Sequence, residues 1–398
     1  MTRSVQFAAN ELLRAKLPAW RSHVLMGLLA LSFTALLGRA FYLQAWSNEW
    51  LQRQGEVRYG RTLEVPATRG KILDRNGVVL ASSLPARAIW AIPEDVDAPP
   101  DKLRQLARLI GISDAQLRER LADTDRTFVY LRRQVDADVA AQVAALGLRG
   151  IHQRREFKRH YPEGETMAHI VGFTDVEDVG QEGFELSKQQ LLAGRPGSRR
   201  VIRDNLGRVI EDVRSIREPQ DGADLELSID SKIQFLAFAA LRDAVRDHKA
   251  KAGAALVIDV RTGEVLALSN WPTYNPNDRR ELSGAQLRNR VITDTFEPGS
   301  TMKPFTAALA LELGRVRPET VIQTDPGRLT IGRHTIGDVK RHGLLTVEQI
   351  VQKSSNVGTV KMALDLPAQQ MWEMYTSLGF GQPPQIGFPG AVAGRVRP

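Results

Sequence analysis

Cysteine is absent from this 398-residue sequence, and aromatic residues make up only 6% of it. Without cysteine, the chain can form no disulfide framework, no zinc–thiolate site and no cysteine nucleophile. The net charge of +8 is spread thinly, and the sequence contains no continuous block of basic residues. Together with the few aromatics, this distribution argues against a nucleic-acid partner.

Clusters of His, Asp and Glu at metal-ligand spacing are also missing, so the sequence predicts no metal site. What is present is ordinary for a globular protein, with 42% apolar and 25% charged residues. The length suffices for two or three domains.

One long apolar run lies near the amino terminus. Val24–Leu37 is apolar apart from Ser32 and Thr34, and the run resumes after Arg39. A span of about 20 residues crosses a bilayer, so we predict a transmembrane signal anchor over residues 24–45. The alternative is a cleaved signal peptide, but no small-x-small site is followed by a mature-looking start.

Four basic residues precede this run: Arg3, Arg14, Lys16 and Arg21. By the positive-inside rule, residues 1–23 form a cytoplasmic tail and the rest of the chain lies outside the inner membrane. Arg39 is expected to reach the outer headgroups or to face a membrane partner.

The middle of the chain predicts a non-catalytic module. Residues 47–64 have helical spacing and are interpreted as a stalk. Asn76-Gly77 predicts a hairpin between strands Lys71–Leu73 and Val78–Leu80. Helices are expected at 102–109, 114–121 and 137–146, and a strand pair at 199–203 and 208–211. His160 and His169 are interpreted as packing residues rather than catalysts.

The carboxyl half predicts a sheet with helices. Strands are expected at 225–229, 254–260 and 264–270, and a helix that Asp230-Ser231 caps. A hairpin is expected around Gly332. Thr346-Val347-Glu348-Gln349 is a capping box that opens another helix.

Ser300 and Lys303 form the strongest chemical pattern. Pro304 fits a helix only in its first turn, which places Ser300 near the N-cap. Residues at i and i+3 share a helix face, so a hydroxyl and an amine meet where partial positive charge accumulates. This arrangement suits a serine nucleophile with a lysine base. The alternative is an N-capping serine beside a solvated lysine.

Ser354 and Asn356 are separated by one residue at a predicted helix junction. On a turn, their hydroxyl and amide can both point into a cleft. A helix cap is the alternative interpretation of this Ser-Ser-Asn sequence.

Together these motifs resemble a known family. Ser300-Thr301-Met302-Lys303 and Ser354-Ser355-Asn356 are similar to the first two active-site motifs of penicillin-binding proteins and serine β-lactamases. Three upstream patterns resemble motifs of the amino-terminal pedestal of class B penicillin-binding proteins: Arg69-Gly70-x-Ile72-x-Asp74-Arg75-x-Gly77, Arg159-x-Tyr161-Pro162 and Gly180-x-x-Gly183-x-Glu185. With the anchor, the resemblance covers nearly the whole chain. Within the family it is closest to the cell-division branch, and an elongation-specific relative is the nearer alternative.

The resemblance implies an α+β fold. It consists of a single transmembrane helix, an elongated periplasmic pedestal (dimerisation) domain over 46–220, and a transpeptidase domain of a β-sheet flanked by helices over 221–398. The third family motif, Lys-Thr/Ser-Gly, is not found. Arg261-Thr262-Gly263 precedes the nucleophile in a predicted turn and is rejected. We therefore expect the transpeptidase domain to be incomplete at its carboxyl end and this chain to be inactive or very weak.

The implied activity is peptidoglycan D,D-transpeptidation during septal wall synthesis. Ser300 would be the nucleophile, Lys303 the general base and Ser354 the proton relay. Asn356 would orient Lys303 and hold substrate. No cofactor or metal is implied. The implied partners are stem peptides, lipid II-derived glycan, β-lactams, a membrane-embedded SEDS glycosyltransferase of the FtsW type and other division proteins. A non-catalytic division scaffold, and a β-lactam sensor or class D-like β-lactamase, remain open alternatives.

Overall fold

The computed structural model describes residues 18–46, 60–203, 209–280 and 282–397. They form two compact units, one of the described residues up to position 66 together with those of 196–219, and one of the described residues of 67–195 and 220–398. The predicted domain boundaries at 45/46 and 220/221 remain predictions.

The α-helices of the described residues are numbered in chain order. They are α1 Ala19–Phe41, α2 Pro100–Leu109, α3 Asp114–Leu121, α4 Ala137–Ala145, α5 Ala168–Val171, α6 Gly183–Ser187, α7 Gln189–Leu192, α8 Ser231–Asp247, α9 Gly284–Leu287, α10 Arg290–Thr293, α11 Lys303–Glu312, α12 Val347–Gln352, α13 Asn356–Leu364 and α14 Ala368–Ser377. Short 3-10 turns lie at Pro93–Asp95, Gly164–Thr166 and Gly299–Met302, and a π-helical turn at Tyr42–Trp46.

The strands are β1 Gly60–Val65, β2 Ile72–Leu73, β3 Val79–Ala91, β4 Val129–Asp136, β5 Ile151–His160, β6 Gly197–Arg203, β7 Val209–Arg217, β8 Leu225–Glu226, β9 Gly253–Ile258, β10 Val265–Trp271, β11 Val321–Gln323, β12 Arg328–Ile331, β13 His334–Gly337 and β14 Leu344–Thr346.

The first unit contains α1, which includes most of the predicted membrane anchor. Residues Trp20–Gln44 are the one segment of the described chain that is helical, long and apolar enough to cross a membrane. The helix begins earlier than predicted, at Ala19. Two polar side chains in its apolar run are satisfied within the helix, because the hydroxyls of Ser32 and Thr34 donate to main-chain oxygens one turn earlier.

The same unit contains the antiparallel sheet β1-β6-β7. The strand pair predicted at 199–203 and 208–211 is confirmed as β6 and β7, which are longer than predicted, and residue 208 lies outside the described residues. The helical stalk predicted over 47–64 is wrong from Gly60 onward, where β1 pairs with β6. Residues 47–59 of that prediction lie outside the described residues.

In the second unit, β4-β3-β2-β8 form a sheet to which β5 adds alongside β3. The predicted hairpin is confirmed, since β2 and β3 pair antiparallel. Of the two turn residues Asn76 and Gly77, only Gly77 has a positive φ, at +79°. The Asp74 carboxylate closes the turn by accepting from the main-chain N–H groups of Asn76 and Val78. The strand expected at 225–229 is shorter than predicted.

The three predicted helices α2, α3 and α4 are confirmed and cover one face of β3 and β4. Ile89 and Leu131 of the sheet pack with Leu106, Leu117 and Val143 of the helices in one buried cluster. Burial of such side chains is the main stabilising contribution to this layer, at about 25 cal/mol per Å².

A second buried cluster joins the early and late parts of this unit. Ile72 and Leu227 lie in the same core as Leu268 and Ile292. The predicted strand pair 254–260 and 264–270 is confirmed as the antiparallel β9 and β10. Buried Gln234 of α8 exchanges hydrogen bonds with both main-chain groups of Leu268, which fixes the helix against β10.

Helices α11, α12 and α13 enclose a smaller core. Ala307 of α11, Ile350 of α12 and Met362 of α13 pack together with Leu345 and Val347. Thr346 caps α12 through the predicted capping box. Gly358 allows close packing of α13, because a Cβ there would lie 2.6 Å from Ile350. The predicted hairpin around Gly332 is confirmed as β12 and β13.

Candidate functional site

Ser300 lies in the 3-10 turn that leads directly into α11. Gly299 has φ +62°, a conformation that only glycine adopts readily, and it starts the turn. Pro304 lies in the first turn of α11, as predicted. Ser300 is exposed, and its hydroxyl has no protein hydrogen-bond partner among the described residues.

Lys303 reaches from the start of α11 to the loop between α12 and α13. Its ammonium donates to the main-chain oxygen of Ser354 at 2.5 Å and to the Ser354 hydroxyl at 2.9 Å. The structure thus brings together two of the four predicted site residues, which are 51 positions apart. Ser300 remains close along the chain, one turn before Lys303.

Ser354 occupies a sharp turn. It has φ +56°, a conformation that costs a residue with a side chain about 1 kcal/mol or more. The next residue, Ser355, is 1% exposed and caps α13 by accepting from the N–H of Gly358 at 3.0 Å. The strained turn directs the Ser354 hydroxyl towards Lys303.

Asn356 lies on the same turn but makes a different contact. Its side-chain amide donates to the main-chain oxygen of Gly337, at the end of β13, at 2.7 Å. No hydrogen bond joins Asn356 to Lys303 within the described residues. The predicted role of Asn356 in orienting the lysine therefore remains a prediction.

Two opposing influences act on the amine of Lys303. Partial burial lowers the pKa of Lys303 from its usual value, because the charged ammonium loses hydration. The carboxylate of Asp338 acts in the opposite direction. The net pKa is lowered, which favours a neutral amine that can accept the proton of a hydroxyl.

Sequence reasoning missed Asp338 and Gly337. Gly337 is the last residue of an exposed hairpin and Asp338 follows it, and neither belongs to a recognisable motif, so their approach to the Ser354 turn arises only from the tertiary fold. Arg261-Thr262-Gly263, which was rejected as a third motif, lies in the turn between β9 and β10, where the N–H of Gly263 donates to Asp259. Within the described ranges, no group of three or more His, Asp or Glu side chains could hold a metal.

The three pedestal-like motifs meet at one buried ion cluster. Glu185 accepts from Arg69 Nε at 2.5 Å and from Arg159 Nε at 2.7 Å. All three side chains are almost fully buried. One guanidinium nitrogen of Arg159 has no partner among the described residues.

His169 is buried as well and contacts the main-chain oxygen of Gln286, in agreement with its predicted packing role.

Two family models match the chain. Residues 64–227 match the penicillin-binding protein dimerisation domain, and residues 253–398 match the penicillin-binding protein transpeptidase domain. The chain belongs to the class B penicillin-binding proteins.

Similar curated members of this family include two D,D-transpeptidases. The chain is 42% identical to the probable peptidoglycan D,D-transpeptidase PenA of Neisseria gonorrhoeae over 380 residues, 94% of this chain and 65% of that protein. It is 43% identical to the peptidoglycan D,D-transpeptidase FtsI of Escherichia coli over 382 residues, 94% of this chain and 64% of that protein. The chain therefore spans about two thirds of the length of these penicillin-binding proteins.

A solved structure supports the fold. The penicillin-binding protein PBP2 of Helicobacter pylori, in complex with MreC, matches 84% of this chain and 68% of that chain, with a TM-score of 0.66 and 21% identity. The expected α+β architecture of a penicillin-binding protein, with an amino-terminal apolar helix, is thereby confirmed.

Proposed function

We propose that the protein is a serine D,D-transpeptidase that cross-links peptidoglycan stem peptides during septal wall synthesis. The observation that carries this proposal is the contact between the Lys303 ammonium and the Ser354 hydroxyl, one helical turn from an exposed Ser300. An amine with a lowered pKa that contacts one hydroxyl, and that lies one helical turn after a serine, suits proton transfer in an acyl-transfer reaction.

In the first half-reaction, Ser300 Oγ attacks the carbonyl carbon of the D-Ala-D-Ala amide and Lys303 takes its proton. The N–H of Ser300 is one donor to the oxyanion that forms. The C–N bond then breaks, and Ser354 relays a proton to the leaving amine of D-Ala. The product is an ester between Ser300 and the shortened stem peptide.

In the second half-reaction, an amine of another stem peptide attacks that ester. The new amide is the cross-link, and Ser300 recovers its proton through the same groups in reverse order. Asn356 holds the substrate main chain in this scheme. A β-lactam enters the first half-reaction as a substrate mimic and leaves Ser300 acylated.

The cellular placement follows from the anchor. Residues 1–23 are the cytoplasmic tail, 24–45 the single membrane span, 46–220 the periplasmic pedestal and 221–398 the transpeptidase part. The basic residues before the span support this orientation. Partners are a SEDS glycosyltransferase of the FtsW type and other division proteins. The complex of the related PBP2 with MreC supports protein partners of this kind in general.

The test is acylation by a fluorescent penicillin. Membranes that contain the product of the whole gene are labelled beside membranes that contain the 398-residue chain. The whole product should label on Ser300, and the Ser300→Ala variant should not. Absence of labelling in the whole product, at matched protein levels, would reject the proposed function. The matched control is Thr301→Ala, which removes the neighbouring hydroxyl and should label normally.

A further inference from the structure

The hairpin β12–β13 ends beside the turn that carries Ser354. The main-chain oxygen of its last residue, Gly337, accepts a hydrogen bond from the side-chain amide of Asn356. The next residue, Asp338, is half-buried. The N–H of Asp338 donates to the main-chain oxygen of Gly327, which ties the end of the hairpin back to its start. The backbone of Asp338 is therefore fixed independently of the Ser354 turn.

The carboxylate of Asp338 makes two hydrogen bonds to that turn. One oxygen accepts from the Ser355 hydroxyl at 2.7 Å, and the other accepts from the N–H of Val357 at 3.0 Å. Hydrogen bonds to a charged acceptor are stronger than neutral ones. The carboxylate also lies at the N-terminus of α13, where the helix dipole favours a negative charge.

No cation forms an ion pair with Asp338 among the described residues. The Asp338 carboxylate raises the proton affinity of Lys303, against the larger effect of burial. Among the residues that the structure describes, Asp338 is the one charged group that shifts the pKa of that amine.

We propose that Asp338 is a positioning residue of the acyl-transfer site. It holds the Ser354-Ser355-Asn356 turn in the conformation that presents the Ser354 hydroxyl to Lys303. This inference rests on the proposed function of Ser300 and Lys303.

The two effects of Asp338 can be separated by substitution. Asp338→Asn keeps an acceptor oxygen but removes the charge. Ser355→Ala removes one of the hydrogen bonds to the carboxylate and keeps the charge. Asp338→Ala removes both effects. Asp365→Asn is the matched control, because it removes an exposed carboxylate at the opposite end of α13.

The experiment measures the rate at which a fluorescent penicillin acylates the whole gene product. The rate is followed from about pH 5 to about pH 10, a range with neutral pH inside it. Asp338→Ala and Ser355→Ala should each slow acylation by roughly tenfold or more, because a misplaced relay loses the productive geometry. Asp338→Asn should move the rising limb of the pH profile to lower pH. Asp365→Asn should change neither quantity.

A purely structural cap would lower the melting temperature without moving the pH profile. The inference is overturned if Asp338→Asn leaves the rising limb in place, or if folded Asp338→Ala and Ser355→Ala are acylated at the parent rate. Labelling of Ser300→Ala would instead reject the proposed function. That result is independent of Asp338, so the two failures can be told apart.

Discussion

Arg69 and Glu185 form an ion pair with neither side chain exposed. Arg69 Nε lies 2.5 Å from Glu185 Oε2, and the same guanidinium donates to the main-chain oxygen of Glu185 at 2.8 Å. Arg159 binds the other carboxylate oxygen. Residues from three distant segments thus share one carboxylate. A buried charge is tolerated only when it is paired and hydrogen-bonded in this way.

Removal of this carboxylate should strongly destabilise the unit. Glu185→Gln would leave two buried guanidinium groups without their counter-charge, at a cost of about 3–5 kcal/mol in the free energy of unfolding. Urea unfolding of the purified chain in detergent, followed by tryptophan fluorescence, measures the effect. Glu177→Gln is the control, because that exposed carboxylate pairs with Arg133 at the surface and should cost at most about 1 kcal/mol. Equal effects of the two substitutions would contradict a structural role for the buried cluster.

Gly70, next to this cluster, should not tolerate a side chain. A Cβ at residue 70 would lie 2.0 Å from the main-chain oxygen of Ala223, and that oxygen cannot move without breaking the surrounding backbone contacts. Gly70→Ala should therefore cost at least about 3 kcal/mol. Gly284→Ala is the matched control, since a Cβ there meets no atom within 4 Å, and it should be near neutral. A melting temperature for Gly70→Ala equal to that of the control would disprove the packing argument.

The local elements of the fold could be predicted from the sequence because their signals are local. Asp230 caps α8, Thr346 caps α12 and Gly77 closes its turn, each through atoms only a few residues apart. The strand β1 could not be predicted in the same way. Its pairing with β6 joins residues well over a hundred positions apart, and the helical spacing in that segment gave the wrong secondary structure.

The candidate site also has features that the sequence predicts and features that depend on the tertiary fold. The helix start at Ser300 and Lys303 follows from Pro304 and from the composition of α11. The direction of the lysine side chain does not, because it depends on the turn at Ser354, 51 residues later. Asp338 has no sequence signal at all. Its importance arises from the fold of the exposed hairpin that carries it.

Lys303 should act as a base whose protonation limits acylation at low pH. Burial lowers its pKa below the usual 10.5, so the neutral fraction grows as the pH rises through a value below that of free lysine. The rate of Ser300 acylation should rise over this range and then level off. Lys303→Arg should abolish the rise, because a guanidinium stays protonated. A rate that is independent of pH in the parent would rule out Lys303 as the base.

His169 should make the second unit less stable in mild acid. Burial lowers the pKa of His169 to about 4, although the contact of its Nε2 with the main-chain oxygen of Gln286, at 2.7 Å, acts in the opposite direction. The unfolded chain has the ordinary value of 6.5. Between about pH 6.5 and pH 4 the unfolded state therefore binds a proton at His169 that the folded state does not bind. As the pH falls through this range, the free energy of unfolding decreases by up to about 3 kcal/mol.

Substitution separates this effect from others in the same range. Asp178 acts in the opposite sense, because burial raises its pKa to about 6 and folding there becomes more favourable as the carboxylate is protonated. His169→Gln keeps a side-chain donor for Gln286 but cannot titrate. The difference between the parent and variant free energies of unfolding cancels the Asp178 contribution. It should be constant above about pH 6.5 and decrease steadily towards pH 4. A flat difference would show that His169 is not buried in its neutral form.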